Sequence, residues 1–122
     1  MLITVASLDM LKHVIQTKSK IVVMASALWC GPCKMVKPSY ERLVLENEGT
    51  TFLIFDVDEQ QEVAKFFSIS CMPTFIFIKN KKILQRKECA DMISVRQALK
   101  EMEQSDTGPP PSTYYLDNYA ML

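Results

Sequence analysis

Apolar positions recur along the chain in two periods, and their alternation lays out the elements. Leu2 to Val5 is a short apolar segment that predicts a strand. Ser7 then stands as an N-cap, with Leu8, Leu11, Val14 and Ile15 on one face of a helix reaching about Gln16. Polar Thr17 to Lys20 breaks that pattern. Ile21 to Ala27 is an almost unbroken apolar run, as expected of a central strand covered on both faces. After Trp29-Cys30-Gly31-Pro32-Cys33 a helical stretch extends to about Glu46. Pro38 inside it predicts a kink, because proline removes a backbone donor and crowds the preceding turn. Thr50 to Val57, rich in β-branched and aromatic residues, predicts another strand. Glu59 to Phe67 predicts a short helix with Val63, Phe66 and Phe67 facing inward. Thr74 to Lys79 and Ile83 to Arg86 predict two strands around an Asn80-Lys81 hairpin turn. Asp91 caps a last helix to about Glu103, with Met92, Val95, Leu99 and Met102 at helical spacing. The order βαβαβαββα argues an α/β fold, a sheet with helices on both faces.

The pattern stops after Gln104. Ser105 to Gly108 leads to Pro109-Pro110-Pro111 and then to a stretch with three tyrosines, without helix or strand periodicity. The expected organisation is one domain over residues 1–104 and a disordered Pro/Tyr-containing tail over 105–122. A hydrophobic fraction of 48% and a charged fraction of 23% are ordinary for a globular domain. Fourteen basic residues balance fourteen acidic ones, so no global field points to nucleic acid or an anionic membrane surface. The first residues lack a basic n-region, and Asp9 and Lys12 interrupt their apolar run too early for a signal peptide. No stretch approaches the roughly 20 apolar residues of a membrane span. A cytoplasmic protein is expected, with the nucleus open to it at this size.

Of the four cysteines, Cys30 and Cys33 form a C-x-x-C pair. That spacing serves zinc sites as well as redox chemistry. A structural zinc needs about four ligands, and Cys71, Cys89 and His13 are isolated, so no metal site is expected. The context favours redox chemistry, because Cys30 ends a strand-to-loop passage and opens a helix. There it meets unpaired backbone N–H groups and the positive end of the helix dipole, which stabilise a thiolate. Gly31 permits a tight approach of the two cysteines and Pro32 stiffens the loop. His13, on the first helix, is expected to be a surface or half-buried residue. The methionines at 24, 35, 72, 92 and 102 are expected to fill core or groove.

Trp29-Cys30-Gly31-Pro32-Cys33-Lys34 resembles the active-site motif of the thioredoxin family. The likeness continues through Lys37-Pro38, Phe55-Asp56-Val57-Asp58 and Cys71-Met72-Pro73-Thr74-Phe75, covering roughly residues 2–103. The eukaryotic cytosolic members look most similar, from Cys71 before Met72-Pro73-Thr74. The resemblance implies the thioredoxin fold, with a central mixed β-sheet flanked by helices on both faces. It implies a thiol–disulfide oxidoreductase that reduces protein disulfides and contributes to redox homeostasis. Cys30 would be the nucleophile and Cys33 the resolving thiol, cycling through a Cys30–Cys33 disulfide. Pro73 would be a cis-proline facing the pair, Trp29 would pack beside it, and Met72 and Thr74 would line the substrate groove. No bound cofactor is implied; electrons would come indirectly from NADPH through a thioredoxin reductase. Partners would be that reductase and disulfide-containing client proteins. The chain would be a monomer able to dimerise on oxidation of Cys71, a candidate regulatory thiol at the rim of the site.

Three positions depart from the family pattern. A buried aspartate usually stands six residues before the first cysteine, and Met24 occupies that place. The aspartate is thought to move the proton of the second cysteine, which methionine cannot do; water or Lys37 could partly substitute. Asn80-Lys81-Lys82 stands where a hairpin glycine is usual, and Lys87-Glu88-Cys89 where another precedes the last helix. Asn80 tolerates positive φ, while Cys89 is expected to be passive or to alter partner choice.

Overall fold

The computed structural model describes residues 1–88 and 91–104. Cys89 and the expected tail over 105–122 lie outside them. The elements are β1 (Leu2–Thr4), α1 (Leu8–Thr17), β2 (Lys20–Ser26), α2 (Gly31–Glu46), β3 (Thr51–Asp56), α3 (Gln61–Phe66), β4 (Thr74–Lys79), β5 (Lys82–Lys87) and α4 (Met92–Gln104). They build a five-stranded sheet in the order β1-β3-β2-β4-β5. β1 and β2 run parallel to β3, whereas β4 runs antiparallel to both β2 and β5, so the sheet is mixed. β2 sits in the middle, which explains its continuous apolar run. Val22 and Met24 face one side with α2 and α4, and Ile21, Val23 and Ala25 face the other with α1 and α3. This is the layout that the resemblance implies. Among the described residues no helix is long and apolar enough to cross a membrane.

Local chemistry sets the element ends. Ser7 Oγ accepts the Met10 N–H at 3.1 Å and starts α1. Asp91 caps α4, its carboxylate accepting the Ile93 N–H at 3.0 Å and the Ser94 hydroxyl at 2.8 Å; the Ser94 bond holds its acidity above the ordinary carboxylate's. Asn80 and Lys81 both take positive φ, at 50° and 68°, which closes the β4–β5 hairpin in the mirror-image turn that suits strand twist. Pro38 lies on the exposed side of α2, and the helix continues past it to Glu46. Tyr40 is fully buried beneath that helix, and its hydroxyl reaches the carbonyls of Leu53 at 2.8 Å and Val22 at 3.1 Å, pinning α2 to the two central strands.

Some expected features shift. α3 begins at Gln61 rather than Glu59, because the Asp56 carboxylate accepts the N–H groups of Asp58 and Glu59 and folds them into a turn. Phe66 is half-buried, since α3 turns Val63 inward and Phe67, just past the helix end, takes the second core place. Met35 was expected to fill core or groove but stands 81% exposed on α2. Met24 and Met102 are buried, and Met72 and Met92 are half-buried against the same cluster.

Candidate functional site

The chain leaves the C-terminal end of β2 and turns into α2 through Ala27 to Cys30, a turn closed by the Cys30 N–H on the Ala27 carbonyl at 3.1 Å. Asp56, at the end of the neighbouring β3, anchors this loop by accepting the Leu28 N–H at 2.9 Å. Cys30 is the N-cap of α2, and its sulfur accepts the Cys33 N–H at 3.3 Å. An anion on that sulfur would be met by a backbone donor and by the positive helix end. Pro32 sits in the first turn, where the missing N–H leaves no helical bond unmade.

The two cysteines are free thiols of unequal access: Cys30 is 6% exposed and Cys33 1%. Burial raises the Cys33 pKa above the ordinary thiol value, and the Cys30 thiol adds to the rise. The Ser26 hydroxyl and the Ala27 backbone pull the other way. The inner sulfur is thus the more buried of the two and the harder to ionise.

Opposite the pair, the Met72–Pro73 peptide is cis. The Cys30 thiol points at the Met72 carbonyl, 3.8 Å away. Cys71, the residue before Met72, is exposed, and Met72 is half-buried. Thr74 differs from expectation. It is fully buried, and its hydroxyl donates to the Cys71 carbonyl at 2.7 Å, so it braces the loop and presents no surface to a client. At Gly31 a Cβ would meet no atom within 4 Å from the described residues beyond its own helix and chain neighbours, so its outer face is open. Trp29 is 67% exposed beside Cys30 rather than a core residue, and its indole N–H donates to Asp58 at 2.7 Å. That bond fixes the ring next to the sulfur and gives Asp58 a place beside the pair. His13 is exposed on α1. Among the described residues no group of three or more His, Cys, Asp or Glu could hold a metal ion.

Met24 stands fully buried on β2, opposite Ile54 of β3 and Phe75 of β4, in the cluster that contains Cys33. Beside Cys33 a cleft of about 260 Å³ opens toward solvent between β2, β3 and α2. Ser26, Lys34, Lys37, Asp56 and Glu59 are among its lining residues. Reading the sequence had not singled out Ser26. The signal lies in the strand itself, because residues two apart share a face and Met24 stands two before Ser26.

A dithiol at the passage from the central strand β2 into α2, facing a cis-proline, defines a thiol–disulfide exchange site. The thioredoxin family model matches residues 2–102, and the chain belongs to that family. It is 41% identical over 81 residues to the thioredoxin of Ophiophagus hannah, covering 66% of this chain and 77% of that protein. To the thioredoxin of Gallus gallus it is 40% identical over 82 residues, covering 67% and 78%. The solved structure of Fasciola hepatica thioredoxin superposes with a TM-score of 0.79 at 33% identity, over 82% of this chain and 98% of that one. Membership brings thiol–disulfide oxidoreductase chemistry in general, carried by a cysteine pair without a prosthetic group.

Proposed function

We propose that this chain reduces protein disulfides by dithiol–disulfide exchange, with Cys30 attacking and Cys33 resolving. The observation that carries the reading is the placement of Cys30. Its sulfur accepts the Cys33 N–H at the start of α2 and lies opposite the cis Met72–Pro73 bond, at the more accessible end of the pair. Cys30 as thiolate attacks one sulfur of a client disulfide and expels the other, which takes up a proton from water. Cys33, after losing its proton, attacks the Cys30 sulfur; the Cys30–client bond breaks, and the client leaves as a second thiol. The client has gained two electrons and the pair has become a Cys30–Cys33 disulfide. Trp29, Gly31 and Pro32 form one wall of the client groove and Met72 with Pro73 the other, an extended segment lying between. Electrons return from NADPH through a thioredoxin reductase. The working place is the cytoplasm, with the nucleus open, in a contribution to redox homeostasis. Exposed Cys71 gives the monomer a route to a disulfide-linked dimer under oxidation.

The test is reduction of insulin disulfides, followed with dithiothreitol as electron donor. Wild type should catalyse it and Cys30→Ser should not. Cys33→Ser should accumulate a mixed disulfide through Cys30. Within the pair, brief alkylation of the reduced protein at neutral pH should label Cys30 before Cys33. Equal turnover by Cys30→Ser, or first labelling of Cys33, would refute the assignment.

A second reading, a redox-dependent binding module, has one observation in its favour. The buried place of the family aspartate is filled by Met24, which transfers no proton. It predicts that reduced and oxidised forms bind a client with different affinity while turnover is slow.

A further inference from the structure

Resolution requires that Cys33, the more buried of the two thiols, lose its proton, and the face of β2 above it carries Met24 where a carboxyl would serve. Side chains on β2 alternate, so Val22 and Met24 share the α2-facing side and Ser26 is the next residue on that side. Ser26 ends the strand, pairs in register with Asp56, and is only half-buried. With Cys33 it lines the 260 Å³ cleft that opens to solvent between β3 and α2. The charged groups on that cleft are Lys34 and Lys37 from α2, Asp56 from β3 and Glu59 from the loop before α3; Cys30 faces Cys33 from the other side.

Resting on the reading of Cys33 as the resolving thiol, we infer that Ser26 takes over part of the work of the missing carboxyl. Its hydroxyl hydrogen-bonds the Cys33 sulfur as that sulfur becomes an anion, and the cleft carries the departing proton to water. A serine hydroxyl takes no net proton at neutral pH. It stabilises the product of deprotonation by donating to it, and solvent in the cleft is the final acceptor. The S–S bond then forms between Cys33 and Cys30, and the client thiolate leaves and is protonated by water. The same Ser26 hydroxyl favours the Cys33 anion against the effect of burial.

Two measurements on the full chain test this. The first follows the Cys33 13Cβ chemical shift through a pH titration of the reduced protein, a readout that needs no client and no turnover. Ser26→Ala should move the Cys33 titration to higher pH, and Ser26→Thr, which keeps the hydroxyl, should restore it. An unmoved titration in a folded Ser26→Ala protein overturns the proposal, whether or not the chain reduces disulfides. The second is single-turnover decay of a preformed Cys30 mixed disulfide. Ser26→Ala should slow it at neutral pH by about tenfold, the worth of one hydrogen bond to an anion, while leaving mixed-disulfide formation unchanged. Should Ser26→Ala shift the titration while wild type shows no mixed disulfide, the reading of function fails and the Ser26–Cys33 contact stands.

Discussion

Replacing Met24 by aspartate puts the family's carboxyl back into a core that has closed without it. The methionine is fully buried between Ile54 and Phe75 and packs in the cluster with Cys33, Val36 and Tyr40. Losing its burial removes roughly 1.5–3 kcal/mol of transfer free energy. Burying a protonated carboxyl with an incomplete set of partners costs about 1–3 kcal/mol more. The variant should therefore be about 2.5–6 kcal/mol less stable even at acid pH, a large part of the roughly 5–15 kcal/mol of a typical domain. The pH dependence has a definite sign. The buried acid has a raised pKa in the folded state, so above the ordinary aspartate value the unfolded chain binds fewer protons than the folded one. Stability then falls as pH rises, by about 1.4 kcal/mol per pH unit, until the folded carboxyl itself ionises. Urea unfolding of Met24→Asp and wild type at a series of pH values from 4 to 8 reads this directly. A stability difference that stays flat across the series would mean that the carboxyl is ionised in place or has escaped to water, and the burial argument would fail. In the same variant, decay of the mixed disulfide should speed up, since a positioned acid–base group is worth at most about 10²–10⁴-fold. An equal or slower decay in the folded protein would show that proton transfer at Cys33 is already served.

Lys81→Gly should stabilise the domain by about 1 kcal/mol, because Lys81 holds φ at 68° in a turn that glycine adopts without steric penalty; a urea midpoint that fails to rise would refute this. The Glu103 carboxylate is held below its ordinary value of 4.5, first by Lys20 at 2.9 Å, with Thr50 also donating to it. Its contribution is present above that ordinary value and lost as pH falls through the folded one. Lys20→Met should lower stability at neutral pH by under about 1 kcal/mol, since both side chains are partly exposed, and the difference should disappear in acid. A larger difference in acid than at neutral pH would reverse the sign and refute the assignment.

Where period and cap agreed, the architecture was legible in the sequence. Ser7 before Leu8, Leu11, Val14 and Ile15 located α1, and Asp91 before Val95, Leu99 and Met102 located α4. The Asn80-Lys81 pair located the hairpin even without glycine, because strand twist selects the turn and the residues yield to it. The short α3 was less legible. Its start depends on Asp56, a side chain on another element, and its periodic pattern could not distinguish Phe66 from Phe67 over less than two turns. Thr74 shows a different limit. The family motif marks it as part of the site, but a motif does not say which way a side chain faces, and Thr74 faces inward to the Cys71 carbonyl.

The site itself was legible as a set of positions and only partly as a set of contacts. Cys30 and Cys33 could be placed from their spacing at a helix start, a property of a short segment, whereas the cis Met72–Pro73 bond was legible only through the resemblance. The pinning contacts join residues far apart in the chain: Leu28 to Asp56, Trp29 to Asp58, Cys30 to Met72. Ser26 lies between these cases. Its face was fixed by the same alternation that fixed Met24, so its approach to Cys33 required only that the strand be followed to its end. A departure from a family pattern draws attention to the residue that is lost, here a carboxyl at position 24. The group on the same face nearest the strand end is the one to test for the chemistry that loss leaves undone. On β2 that face ends in a hydroxyl beside an open cleft.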